Sequence, residues 1–578
     1  MLRFFVRLFA TIGLLVVAAL VGAVVLLVRY QPSLPDAVVL DLDLTRTLAE
    51  GGSDRLGGLL GHDASLREVL DALERGRNDP KVKGVLARLG GDDIGFAQAQ
   101  ELRAAVERFR ASGRFAVAFS ESYGEGGAGN RAYLLASAFD EVWLQPLGMV
   151  GLTGLSAEVP FARAALDTLG VQPQLMQREE YKSFADTFTR SELTPANREM
   201  LQGLVGDLTN QLVDGIAKSR RVPPASVRTA LDRAPLLDRE ALELKLIDRV
   251  GYADEARDAA LQRAGGGAEL VEAADYRAVA GGAHDSGPTV ALIHAVGTIT
   301  GGKSDRPALG ELTAGSETIV QAIEEAVDDP DVKAILFRID SGGGSVSASE
   351  AIRRALEKAR QRGKPVIASM GDAAASGGYW IALAADRIVA SPATITGSIG
   401  VVAGKMSFAG LSEKLGVQWG RVPAARNAGM WSPMHPFSPS EEERLTAIID
   451  TTYATFLERV AQARRLTPEQ ARAAAKGRVW TGAQARELGL IDEFGGQEEA
   501  LTLARAAAGL AADAPVTLAP FPAPKSVTEE LLSLLSNRGE LVGALSAVAA
   551  LKPLLAQFRP LLATEGVRAT LPAIDLGR

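Results

Sequence analysis

The segment Gly371-Asp372-Ala373-Ala374-Ala375-Ser376-Gly377-Gly378-Tyr379-Trp380 sets one serine between an alanine run and two glycines, just ahead of an apolar helical stretch. That setting suits a nucleophile. Small neighbours let a substrate backbone approach, and glycines permit a sharp turn. Amides at the start of the following helix favour a developing oxyanion. A helix-capping serine has the same signature, so this segment alone leaves both readings open. A second segment, Arg338-Ile339-Asp340-Ser341-Gly342-Gly343-Gly344-Ser345-Val346, runs from a strand pattern through three glycines into a helix. Glycine amides at such a turn can form an anion-binding concavity. A phosphate loop is disfavoured because no Gly-Lys-Ser/Thr follows, and the G-x-G-x-x-G spacing is absent. The other reading is a plain strand–helix turn.

Composition narrows the chemistry. The chain has no cysteine, which removes thiol nucleophiles, disulfides and cysteine-based metal sites. Its histidines are His62, His284, His294 and His435, with no HxH or HxxxH pair. No metal site is expected, and a histidine base would have to be one of these four. A net charge of −8 without a long basic run argues against nucleic acid as a partner. A length of 578 residues exceeds one ordinary core.

The N-terminal 35 residues carry their own signal. Residues 8–28 are uncharged, long enough to span a bilayer as a helix. Arg3 and Arg7 precede this run, and the acids Asp36, Asp41 and Asp43 follow Arg29. The basic bias places the N-terminus in the cytoplasm and the rest outside. The run is longer than a usual signal-peptide core, and no clear A-x-A site precedes Arg29. The expectation is an uncleaved signal anchor contacting membrane lipid.

The elements that must position the serine come from a duplication. Asp79-Pro80-Lys81-Val82-Lys83-Gly84-Val85-Leu86 reads like Asp329-Pro330-Asp331-Val332-Lys333-Ala334-Ile335-Leu336. Tyr133 and Asp140 recur as Tyr379 and Asp386, and Leu169-Gly170-Val171-Gln172 recurs as Leu415-Gly416-Val417-Gln418. Each half alternates short β-branched runs with helical stretches, which implies an α/β fold with parallel strands. Strands are expected at residues 333–339, 365–369 and 387–390, with helices at 347–362 and 377–386. Long amphipathic arms are expected at 196–221 and 441–466. The domain reading is an anchor at 1–35, a first unit at 36–264, a Gly/Ala-rich linker at 265–286 and a second unit at 287–518. An amphipathic tail of unassigned role follows at 519–578.

These segments resemble the signal peptide peptidase family (SppA) in its long, duplicated form. The family pattern is an S-P-G-G turn, then G-x-x-A-A-S-G-G-Y, then T-G-S-I-G, which here is Thr396-Gly397-Ser398-Ile399-Gly400. The resemblance covers roughly residues 38–510 together with the anchor. It implies that Ser376 is the nucleophile and that Lys182, within Glu180-Tyr181-Lys182-Ser183-Phe184, is the general base. It further implies an oxyanion hole from Gly344 and the Gly377 N–H, and Ser398 as a hydrogen-bond partner of the lysine amine. Gly342 departs from the family proline, and Asp340 stands where asparagine is common.

A lysine base must lose its proton. The free side chain has a pKa of about 10.4, and burial among apolar groups can lower it to roughly 7–8. Tyr181, Phe184 and Phe188 offer such surroundings. The repeat adds a check. Lys182 falls opposite Ala428, and Ser376 opposite Asn130. The first half keeps only Gly90-Gly91-Asp92-Asp93-Ile94 in place of the glycine turn. Each half lacks what the other retains, so one composite site per chain is expected between the halves.

The resemblance also implies duplicated Clp-protease/crotonase-like domains of repeated β-β-α units. It implies amide hydrolysis through an acyl-enzyme with no cofactor, acting on spent signal peptides and similar apolar peptides. The implied setting is a homotetramer in the bacterial inner membrane, single-pass, with the catalytic part on the periplasmic side. A crotonase-like acyl-CoA enzyme and a non-catalytic membrane scaffold are the competing expectations.

Overall fold

Strands such as Val82–Leu89 and Val332–Ser341 read as nearly continuous apolar runs, the pattern of parallel sheets covered on both faces. A computed structural model describes residues 33–51, 65–305, 312–523 and 567–570. In the first half the sheet order is Arg249–Val250, Glu141–Leu144, Phe115–Ser120, Val82–Leu89, Ala37–Leu44 and Ala268–Glu272, all parallel. The second half repeats this path strand for strand. Its order is Glu493–Phe494, Arg387–Ala390, Val366–Ala375, Val332–Ser341, Thr289–Val296 and Thr517–Phe521, again parallel.

The duplication extends to small details. Tyr133 and Tyr379 are both buried, and their hydroxyls donate to the carbonyls of Leu246 and Leu490. The long arms are Pro195–Arg220 and Pro439–Arg464, and each is followed by a capping arginine, Arg221 or Arg465, at φ 54°. The arms cross over. Pro195–Arg220 packs on Val479–Thr481 of the second half, and Pro439–Arg464 packs on Gln172–Arg178 of the first.

Several boundaries differ from the sequence reading. The serine-bearing strand, Val366–Ala375, runs well past residue 369, and its helix, Gly377–Ala382, stops short of 386. The stretch read as a linker contributes the edge strand Ala268–Glu272 and the helix Ala273–Ala280. Residues 8–28, read as the anchor, lie outside the described residues. Among the described residues no helix is long and apolar enough to cross a membrane.

A third sheet joins the halves. Its order is Thr313–Gly315, Thr298–Thr300, Gly343–Ser345, Val567–Thr570, Val401–Ser407 and Gln172–Arg178. Gln172–Arg178 pairs antiparallel with Val401–Ser407 from Ser407↔Gln172 to Val401↔Arg178. The first-half strand leading to Lys182 is thereby zipped to the second-half strand leaving Ser398.

Candidate active site at the junction of the halves

The serine strand Val366–Ala375 delivers Ser376 to a sharp turn, and the helix Gly377–Ala382 begins at the next residue. Ser376 has φ 55° and ψ −113°, a left-handed backbone that a non-glycine residue adopts at a cost of about 1–3 kcal/mol. Its N–H donates to Gly397 O at 2.8 Å, which fixes the turn against the T-G-S-I-G segment. Ser398 is also left-handed, at φ 50°.

Lys182 arrives from the other half. Its Nζ lies 2.7 Å from Ser376 Oγ, and 3.0 Å from both Oγ and the carbonyl oxygen of Ser398. Lys182, Ser376 and Ser398 are each 0% exposed. Burial holds the lysine amine well below its ordinary pKa, with no carboxylate acting to raise it. The desolvated amine is therefore available as a proton acceptor.

The socket that buries Lys182 is built by glycines more than by rings. A Cβ at Gly477 would lie 2.5 Å from Lys182 N, and one at Gly400 would lie 3.1 Å from Lys182 Cδ. Gly477 is at φ 74° and donates its N–H to Ile399 O at 2.9 Å. The aromatic neighbours sit further out. Tyr181 packs toward Met200, Leu204 and Val479, while Phe184 and Phe188 join a cluster with Leu166 and Met406.

Gly344 and Gly377 meet beside the serine. A Cβ on Gly377 would fall 3.0 Å from Gly344 N and 3.1 Å from Gly343 Cα, so only glycine lets the two turns close. The first half provides an internal comparison. There Asp92 Oδ1 accepts from the N–H groups of Arg131 and Ala132 at 2.7 and 3.1 Å, at the start of the helix Asn130–Ala136. In the repeat these amides correspond to Gly377 and Gly378. The first half fills with a carboxylate the position that the second half leaves to glycine. Asn130, opposite Ser376, is tied to Gly154 through both its amide atoms, at 2.8 and 3.0 Å. Ala428, opposite Lys182, lies in an irregular segment.

The description peptidase family S49 matches residues 114–266 and 358–511, one match in each half. The chain belongs to peptidase family S49. It is thus a serine peptidase, a hydrolase of peptide bonds. Protease 4 of Salmonella typhi is 33% identical over 479 residues, covering 80% of this chain and 74% of that protein. Protease 4 of Haemophilus influenzae is 31% identical, covering 76% of this chain and 72% of its own length. The chloroplastic serine protease SPPA of Arabidopsis thaliana is 29% identical over 93% of this chain. Among solved structures, a point mutant of ClpP1 from Listeria monocytogenes gives a TM-score of 0.23 at 15% identity, covering 36% of this chain and 94% of that one. That likeness is too slight to bear on the fold.

This S49 chain also holds a buried charge cluster beneath the serine strand, which no sequence motif signals. Arg338 donates to Glu50 at 2.8 and 2.9 Å, to Glu101 at 2.8 Å and to Ser369 Oγ at 2.9 Å. Glu50 and Glu101 belong to the first half, so Arg338 clamps the halves together. Asp340 accepts from Ala373 N at 2.9 Å, and Asp372 accepts from Ala97 N at 2.8 Å. Burial, with Glu50 adding to it, pushes Asp340 up to about 8 and Asp372 up to about 6. The histidines lie elsewhere. His284 pairs with Glu498, His435 with Pro436 O, and His294 sits opposite Arg338 in the sheet. His62 lies outside the described residues.

Proposed function

We propose that this S49 peptidase works through a Ser376–Lys182 dyad divided between its halves. The observation that carries this reading is the 2.7 Å contact between Lys182 Nζ and Ser376 Oγ in a fully buried setting. Neutral Lys182 takes the Ser376 proton as the oxygen attacks a peptide carbonyl. Ser398 orients the amine, and the Gly344 and Gly377 amides hold the oxyanion. The Asp92 carboxylate on the first-half counterpart of the Gly377 amide supports the anion-binding role of that amide. Lys182 then donates its proton to the leaving amine, and water resolves the acyl-enzyme.

The proposed substrates are spent signal peptides and similar apolar peptides. A Clp-protease/crotonase-like architecture and an inner-membrane anchor at residues 8–28, with the active site on the periplasmic side, complete the reading. Self-assembly, as a homotetramer, is supported by an exposed apolar run: Leu415, Val417, Trp419 and Val422 are 71%, 47%, 58% and 100% exposed. This run is the second-half counterpart of the segment that enters the inter-half ladder.

The test is hydrolysis of an apolar reporter peptide by wild type, Ser376→Ala and Lys182→Ala, with fluorophosphonate labelling alongside. Both variants are expected to lose activity by about 100-fold or more, and label is expected on Ser376 alone. Activity retained in Lys182→Ala would overturn the dyad. A folded wild type that neither labels nor cleaves would favour the acyl-CoA enzyme.

A further inference from the structure

The loop that follows the helix Pro468–Ala474 meets the dyad segments through its backbone. Lys476 and Gly477 are both left-handed, at φ 55° and 74°. The turn aims successive backbone groups at two segments of the site. Lys476 O accepts from Tyr181 N at 3.1 Å, Gly477 N donates to Ile399 O at 2.9 Å, and Arg478 O accepts from Ser398 N at 2.7 Å. Tyr181 precedes Lys182, and Ser398 holds the lysine amine. Base and orienting serine are thus joined through one short run of main chain.

The Arg478 side chain closes the same junction. Its guanidinium lies over the Tyr181 ring at 4.9 Å and over the Trp480 ring at 4.5 Å. Nη1 donates to Glu199 Oε1 at 2.6 Å, and Glu199 Oε2 accepts from the Tyr181 hydroxyl at 3.1 Å. Trp480 Nε1 donates to Ala474 O at 2.8 Å, and a Cβ on Gly397 would fall 2.7 Å from Trp480 Cδ1. Tyr181 and Glu199 belong to the first half, Arg478 and Trp480 to the second. A plain surface ion pair needs neither ring. The repeat gives independent support. Val150 pairs with Leu236 as Thr396 pairs with Trp480. On that register Ala234 stands opposite Arg478. The half without the serine carries neither the arginine nor the tryptophan.

Resting on the dyad reading above, we propose that Arg478 is a positioning residue for Lys182. Its guanidinium keeps the loop closed on the lysine segment, and so holds Lys182 Nζ against Ser376 and out of water. It touches no reacting atom. A planar guanidinium can lie over rings and pair with a carboxylate at once, which a compact ammonium cannot match. The other charges flanking Lys182 are paired among themselves: Lys476 with Glu180, Arg472 with Glu179 and Arg178 with Asp450. Burial is what lowers the lysine's pKa.

Wild type, Arg478→Met and Arg478→Lys are compared by kcat, KM and the pH profile of kcat/KM on the reporter peptide, with thermal unfolding alongside. Both variants are expected to lose about 10- to 100-fold in kcat with KM unchanged. The rising limb of the profile is expected to move to higher pH by about one unit, as water reaches a loosened amine. A mere charge effect would spare Arg478→Lys, so that variant decides the case whether or not Arg478→Met folds. An Arg478→Lys chain with wild-type kcat and an unmoved limb overturns the inference and leaves the dyad standing. So does a fall in thermal stability with kcat and the limb unchanged. Activity retained in Lys182→Ala, run beside them, overturns the dyad and the inference together.

Discussion

Lys182 is useful because its position is unfavourable for a charged amine. Burial lowers its pKa, so between the lowered and the ordinary value the folded chain gives up protonation that the unfolded chain keeps. The stability cost is present below the ordinary lysine pKa and grows as pH falls towards the lowered one. Lys182→Met is therefore expected to abolish activity and to raise the thermal midpoint at neutral pH, with the gain shrinking at strongly alkaline pH. Lys182→Arg should also be inactive, because guanidinium keeps its proton. In the wild type kcat/KM is expected to rise with pH as the lysine deprotonates. Asp340 follows the acid rule. The unfolded carboxyl ionises near 3.8 and the folded one near about 8, so stability drains away across that window and is flat above it. Asp340→Asn keeps an acceptor for Ala373 N–H. It is expected to match wild type in acid and to be the more stable chain at pH above about 8, measured by denaturant titration at several pH values.

At the scale of elements, the site depends on close backbone approach. Gly477→Ala should push against the Lys182 backbone at a left-handed position. It is expected to cost far more activity than stability, read as kcat loss against an unchanged circular-dichroism spectrum. Arg338→Met leaves Glu50 and Glu101 buried without their partner and is expected to cost about 3–5 kcal/mol in chemical unfolding. The sequence made the alternating elements visible, because parallel strands and amphipathic helices write themselves in hydropathy. The repeat set Asn130 and Ala428 opposite the two proposed reactive residues. Ser376 was legible from its local turn, whereas Lys182 came from resemblance, since a lone lysine has no local signature. Gly477 and the Arg338 clamp stayed hidden because their partners are hundreds of residues away. The tail strand Val567–Thr570 was hidden for the same reason: four residues pair only with segments far from them in the chain.

Across the whole molecule, the ladder between halves sets an asymmetry. The first-half strand Gln172–Arg178 is paired, whereas its second-half counterpart forms part of the exposed run ending at Val422. If that run meets the first half of a neighbouring chain, the contact is head-to-tail and closes into a ring. Val422→Asp is expected to shift the protein from oligomer to monomer in analytical ultracentrifugation, with each monomer keeping its dyad intact because Lys182 and Ser376 share one chain.

That shared ladder has a consequence for synthesis. The ribosome releases the lysine half first, and Ser376 follows 194 residues after Lys182. On the proposed dyad, until Val401–Ser407 has emerged and zipped onto Gln172–Arg178, Lys182 has no serine beside it to activate. A half-made peptidase therefore has no means of cutting the chains emerging beside it, and hydrolytic power arrives only when translation has passed both halves. During that interval Gln172–Arg178 is an open strand edge, the feature most prone to mispairing. Chaperones of the compartment in which the halves fold would be needed there, rather than at the active site itself.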